Sequence, residues 1–172
     1  DVKKSSTPAF FRDRLEKCIN IILNTTQEKL ITYIDSVKKE MISADISNIS
    51  FPRGVNGLEK YSDEKNIYGK GCPIHVRGTL IYNHLLKTKK LEKIYPLIRN
   101  GEKIKFIYLK EPNSIHSNVI AFQTILPEDF MLKKYIDYDT QFIKAFLEPI
   151  KTITDSIGWK TEQVDSLEAF FT

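Results

Sequence analysis

Phe51–Asn83 reads FPRGVNGLEKYSDEKNIYGKGCPIHVRGTLIYN, and this stretch sets the reading of everything around it. Gly54, Gly57, Gly69 and Gly71 fall within eighteen residues, four of the seven glycines in the chain. Glycine suits a backbone that must turn left-handed or come close to a ligand. Arg53, Lys60, Lys65, Lys70 and Arg77 are interleaved with these glycines, and Tyr61 and Tyr68 add flat faces. From about Ile74 the spacing of Ile74, Val76, Leu80, Ile81, Leu85 and Leu86 predicts a helix. The stretch reads as a loop suited to holding a phosphate backbone and leading into that helix. On these residues alone a solvated surface loop is the alternative.

Working outward, the basic character extends beyond the loop. Residues 51–110 hold thirteen Lys/Arg against five Asp/Glu, a balance of +8, while the two flanks together stand at −4. A basic middle between acidic ends is the pattern of a single electrostatic face. The chain of 172 residues suits one domain with a real core. Its 41% hydrophobic and 28% charged residues are ordinary for a soluble α+β protein. No apolar run is long enough to span a membrane, and no signal peptide opens the sequence. Cys18 and Cys72 make no disulfide framework, and no Cys/His pair has zinc spacing, so a reducing, cytoplasmic setting is expected. Asp1 stands first rather than Met, which suggests part of a longer polypeptide or a trimmed chain.

Upstream of the loop, Thr7 is expected to cap a helix that Pro8 begins, with Leu15, Cys18, Ile19, Ile22 and Leu23 on one face to about residue 24. Thr25-Thr26 restarts the pattern, and Leu30, Ile31, Ile34, Val37 and Met41 mark a second helix ending near Ala44. The short joint predicts an antiparallel pair. Ile46, Ile49 and Phe51 look strand-like. Downstream, Leu91, Ile94, Leu97 and Ile98 form a short apolar segment interrupted by Pro96, and Asn100-Gly101 marks a turn. Ile104, Phe106, Tyr108 and Leu109 then make a strand with Lys103 and Lys105 on its other face, and Val119–Phe122 supplies a partner. Pro127 opens a short helix. A last helix carries Phe142, Phe146, Leu147, Ile150 and Ile153, with Pro149 as a kink and Gly158 as its end. The fold class expected is α+β, mainly helical with a small antiparallel sheet.

Catalytic signatures are missing. There is no phosphate-binding P-loop, dinucleotide fingerprint, nucleophile elbow or HExxH. Asp137 and Asp139 in YIDYD stand close enough to suggest a Mg²⁺ pair, and with it a small metal-dependent nuclease. Helix capping explains them better, because acidic residues at a helix start favour its dipole. His75, His84 and His116 are scattered, and His75 suits a phosphate donor or a packed helix-start residue more than a base. At the C-terminus Leu167, Phe170 and Phe171 suggest an apolar plug for a partner's pocket, or a tail folded onto its own domain.

In order, KKSSTP, KGCPIHVRGTLIYN, NGEKIKFIYL, YIDYDTQFIKAFLEPI and SLEAFF cover nearly the whole chain. They resemble the C-terminal thumb domain of family B replicative DNA polymerases of the T-even-type phage kind. KGCPIHVRGTLIYN is the most specific match, similar to the family's K-C-P-(I/F)-H-(I/V)-R-G-x-L-x-Y, although Gly71 adds one residue before the Cys-Pro pair. The resemblance implies a thumb over residues 1–159 and a clamp-binding tail over 160–172. Such a thumb grips the primer–template duplex through its phosphates and minor groove. It would work with a sliding clamp and with palm and exonuclease domains in the same or a separate chain. The catalytic aspartates and their Mg²⁺ belong to the palm, so this segment alone should incorporate no nucleotide. By the resemblance Lys70, His75 and Arg77 match basic positions, with Lys70 and Arg77 expected on phosphates. Arg53, Gly54, Asn56, Lys60 and Lys103 are further expected DNA contacts. Leu167, Phe170 and Phe171 carry the clamp-peptide pattern, with Gln163 one residue outside the usual glutamine position. The alternative is a free-standing accessory protein that binds double-stranded DNA.

Overall fold

The computed structural model of the chain describes residues 4–63 and 67–163. It is α+β and mainly helical, and it divides into two compact units. One is built from the described residues up to Ala44 and from Phe142 onward, the other from Asp45–Gln141.

The first unit begins with helices α1, Ala9–Asn24, and α2, Gln27–Met41. Phe11, Leu15 and Cys18 of α1 and Leu30, Ile34, Val37 and Met41 of α2 are buried, the helical spacing expected of two apolar faces turned on each other. Arg14 near the start of α1 pairs with Glu40 near the end of α2 at 2.7 Å, and the Lys17 ammonium lies 4.9 Å from the Tyr33 ring. The helices therefore run antiparallel. Thr26 caps α2 by accepting from the Lys29 amide at 3.4 Å. Thr7 does not cap α1. Its hydroxyl accepts from the Lys4 amide, and Pro8 takes the N-cap position with extended backbone, because a turn closed on Lys4 has already engaged the Thr7 side chain.

The last helical run consists of α5, Tyr138–Phe142, a wider π-helical turn at Ile143–Leu147, and α6, Glu148–Ser156. Phe142 and Phe146 stand 6.3 and 5.6 Å from the Phe11 ring. Proline has no amide to donate and crowds the preceding turn, and the turn just before Pro149, where a kink was expected, is the π-helical one. Gly158, at φ +74, closes the run as expected: its amide reaches Asp155 O and that of Trp159 reaches Thr154 O. Burial pushes the Cys18 thiol up to about 12.

The second unit holds a three-stranded antiparallel sheet in the order β1-β2-β3: Phe51–Gly54, Lys103–Tyr108 and Val119–Phe122. Phe51 stands opposite Phe106 and stacks on it at 5.2 Å, and Phe106 in turn stands opposite Ala121. The strand-like reading of Ile46 and Ile49 fails. Ile46–Ile49 is a single helical turn, α3, because Asp45 caps it through the Ser47 amide and the extended chain begins only at Ser50. Helix α4, Ile74–Thr88, packs on β3. At Gly78 the approach is so close that a Cβ would lie 2.8 Å from the Ala121 nitrogen. The apolar segment after α4 forms no regular element. It is held by Asn83, whose amide group donates to Ile98 O at 2.9 Å and accepts from Ile98 N at 2.8 Å. Gln141 is fully buried: it accepts from the Tyr108 amide and donates to Ile49 O, tying α3 to β2. Among the described residues no helix is long and apolar enough to cross a membrane.

Candidate nucleic-acid interface

Five of the expected contact residues converge on one end of the sheet. Arg53 and Gly54 are the exposed last residues of β1, and Gly54 stands opposite Lys103, the exposed first residue of β2. Beyond Gly54 the chain is stitched to the Asn100-Gly101 turn. Val55 N donates to Glu102 O at 3.0 Å, Gly101 N donates to Val55 O at 2.8 Å, and Leu58 N donates to Asn100 Oδ1 at 3.0 Å. With Val55 buried as the anchor, Asn56 is left exposed on the outside of the bend. Gly57, at φ +75, lets the chain reverse into a 3₁₀ turn at Leu58–Tyr61, where Lys60 is exposed and its ammonium lies 5.4 Å from the Tyr61 ring. The turn opposite is braced as well: Glu102 accepts from the Gln123 amide at 2.9 Å and from Arg99 N at 2.8 Å, and these bonds, the first foremost, hold its carboxyl below the usual range.

Helix α4 brings its first turn to the same side. Arg77 N makes the first backbone bond of the helix, to Pro73 O, so the amides of Ile74, His75 and Val76 precede the intrahelical ladder. That end of a helix carries partial positive charge and favours anions. His75 is half-buried there. Burial first, and the nearby Arg53 guanidinium second, hold its imidazole below the ordinary range. His75 and Arg53 thus share one electrostatic environment although they come from a helix and a strand.

Lys70 is exposed on the loop that feeds α4, one residue before Gly71, at φ +96. Arg77 is placed differently from the other basic residues. It is half-buried, its Nε–H donates to Ile67 O at 2.9 Å, and Nη1 donates to Asn118 Oδ1 at 3.5 Å. Leu167, Phe170 and Phe171 lie outside the described residues, and Gln163 is exposed at their edge.

The carboxylate pair is accounted for in part by local chemistry. Asp137 Oδ1 accepts from Thr140 N at 3.0 Å and Oδ2 from the Thr140 hydroxyl at 2.8 Å, the capping role anticipated for this helix start. Among the described residues no group of three or more His, Cys, Asp or Glu side chains is placed to hold a metal ion.

Several contributors carry no local sequence signal. Asn100 reads only as a turn residue, yet its side chain fixes Leu58 and meets Glu59. Gly78 reads as one letter of a motif, and its reason is the β3 backbone beside it.

No protein-family profile matches the chain. Over 99% of its length it is 30% identical to the DNA-directed DNA polymerase of Enterobacteria phage T4, and to that of Escherichia phage RB69 to the same degree. Nearly the whole chain is thus similar to part of two phage DNA polymerases. It spans only 19% of the length of either relative.

Proposed function

We propose that the chain is the thumb segment of a phage replicative DNA polymerase, and that it grips the primer–template duplex without reading its sequence. The observation that carries this is the gathering of Arg53, Gly54, Asn56, Lys60 and Lys103 at one end of the sheet, with the first turn of α4 and His75 beside them. Lysine, arginine and backbone amides position a duplex through its phosphates and carry no sequence information. That suits an enzyme that must copy every site. Gly54 leaves open space where a side chain would stand, so the backbone itself can approach a strand. Lys70 adds a further cation from the loop before α4.

Nucleotidyl transfer and its Mg²⁺ belong to the rest of such a polymerase, and this chain holds the product duplex behind that chemistry. The binding test uses two duplexes of unrelated sequence at several salt concentrations. Five phosphate contacts should give a logarithmic salt slope of roughly −4 to −5. A flat salt response, or strong preference for one duplex, would sink the reading.

The C-terminal segment with Leu167, Phe170 and Phe171 is proposed to tether the polymerase to its sliding clamp, on the pattern of apolar anchors in a pocket. Replacing Phe170 and Phe171 by Ala should abolish clamp binding and leave duplex binding unchanged. Loss of both together would mean that these residues belong to the core.

A further inference from the structure

We propose that Arg77 is a positioning residue: it fixes the loop that carries Lys70 and does not itself meet a phosphate. The proposal rests on the duplex-gripping reading above and refines it. The Nε–H of Arg77 is committed to Ile67 O at 2.9 Å, and Nη1 points to Asn118 Oδ1 at 3.5 Å. The guanidinium is also near enough to the buried Cys72 thiol to act on its titration. Arg77 therefore holds the Ile67 end of the short segment that runs to Cys72, with Lys70 between them.

Everything the guanidinium holds on to is itself anchored. Asn118 follows a loop organised by the buried Asn113, which donates to Lys110 O and Ser117 O at 2.8 and 2.7 Å and accepts from Ile115 N at 3.0 Å. Ser117 Oγ donates to Val119 O at 2.9 Å and ties that loop to β3. Tyr68 adds a second strut, its hydroxyl donating to Ile115 O at 3.2 Å. On the helix side, Arg77 is the residue before Gly78, whose backbone is pressed against β3. The guanidinium thus spans three fixed pieces: α4, the loop before β3 and the loop that carries Lys70. Such a span needs a planar fork of donors. A lysine ammonium keeps the charge but is a single point on a flexible stem and cannot reproduce the fork.

The test compares Arg77→Lys, Lys70→Ala and the double variant of the full chain, using one duplex DNA titrated across salt. Amide hydrogen exchange at residues 67–71 and Tm are measured in parallel. If Arg77 positions Lys70, Arg77→Lys speeds exchange at 67–71 and weakens duplex binding as Lys70→Ala does, although the charge is retained. Each single variant then lowers the salt slope by about 0.9. In the Lys70→Ala background the second change alters binding by less than about twofold, the ordinary margin of additivity. Tyr68→Phe, which removes one exposed-side strut, reproduces a smaller part of both effects and guards against a variant that merely unfolds.

Retention of parental binding and exchange in Arg77→Lys would overturn the proposal, since a bare charge would then suffice. Fully additive losses from the two sites would also overturn it, by making Arg77 an independent contact. Lys70→Ala without effect, while Arg77→Lys still loosens residues 67–71, would instead refute the phosphate role of Lys70 and leave the anchor standing.

Discussion

A Cβ placed on Gly78 would stand 2.8 Å from the Ala121 nitrogen and 3.1 Å from the Ile120 carbonyl carbon, and both are backbone atoms of β3. Backbone in a paired strand yields little, so Gly78→Ala should cost about 1–3 kcal/mol through overpacking, in spite of alanine's better helix propensity. The measurement is a lowered urea midpoint with unchanged slope, and a variant as stable as the parent would show that α4 can lift off the sheet. Gln141 makes a second residue-scale prediction. Gln141→Leu keeps the volume but removes the buried bond to Ile49 O and the part-buried one from the Tyr108 amide. About 1–3 kcal/mol should be lost. At His75 the prediction concerns pH. Its imidazole titrates below the ordinary 6.5 in the folded chain, because of burial and then Arg53. The unfolded chain therefore binds more protons as pH falls, so stability is full above about 6.5 and declines toward the folded value. His75→Gln should flatten that acid limb of the stability profile; an unchanged limb would place the acid sensitivity elsewhere.

Among elements, α5 is the one whose start is most fully specified. Asp137→Ala should cost about 0.5–2 kcal/mol by removing the cap on Thr140, and added Mg²⁺ should shift the melting of neither form. A Mg²⁺-dependent rise in Tm that vanishes in the variant would restore a metal role. The elements that sequence periodicity revealed are those whose own residues decide them. α1, α2 and α4 show an apolar stripe at helical spacing, β2 and β3 appear as apolar strands, and Gly101 and Gly158 adopt the left-handed backbone that glycine favours. Two local readings failed because a polar neighbour overrides the apolar or capping pattern. Ile46–Ile49 has β-branched residues but follows the cap at Asp45, and Thr7 is spent on Lys4 before it can serve α1. In the candidate interface, basic residues and glycines were legible by type. That Asn100 fixes Leu58, or that Arg77 faces Ile67 and Asn118, depends on contacts spanning many residues and had no local trace.

For the whole molecule, charge and architecture coincide. The unit Asp45–Gln141 holds fifteen Lys/Arg against eleven Asp/Glu, whereas the two chain ends together hold eleven of each, so the net +4 resides in the second unit. On the duplex-gripping proposal, a fragment spanning 45–141 should therefore retain the duplex binding and salt slope proposed for the full chain; a fragment that folds but does not bind, while the full chain does, would move the proposed grip to the helical unit. The bond from Gln141 to Ile49 O has one more consequence. Because Gln141 ends this unit and Ile49 follows its first residues closely, the hydrogen bond brings the two ends of a continuous segment side by side. Adjacent ends are what circular permutation and domain grafting require. The unit has the topology of a cassette: a short linker from residue 141 back to residue 45 would close it. New ends opened in an exposed loop, or a graft between two other helices, should leave its sheet and its basic edge in place.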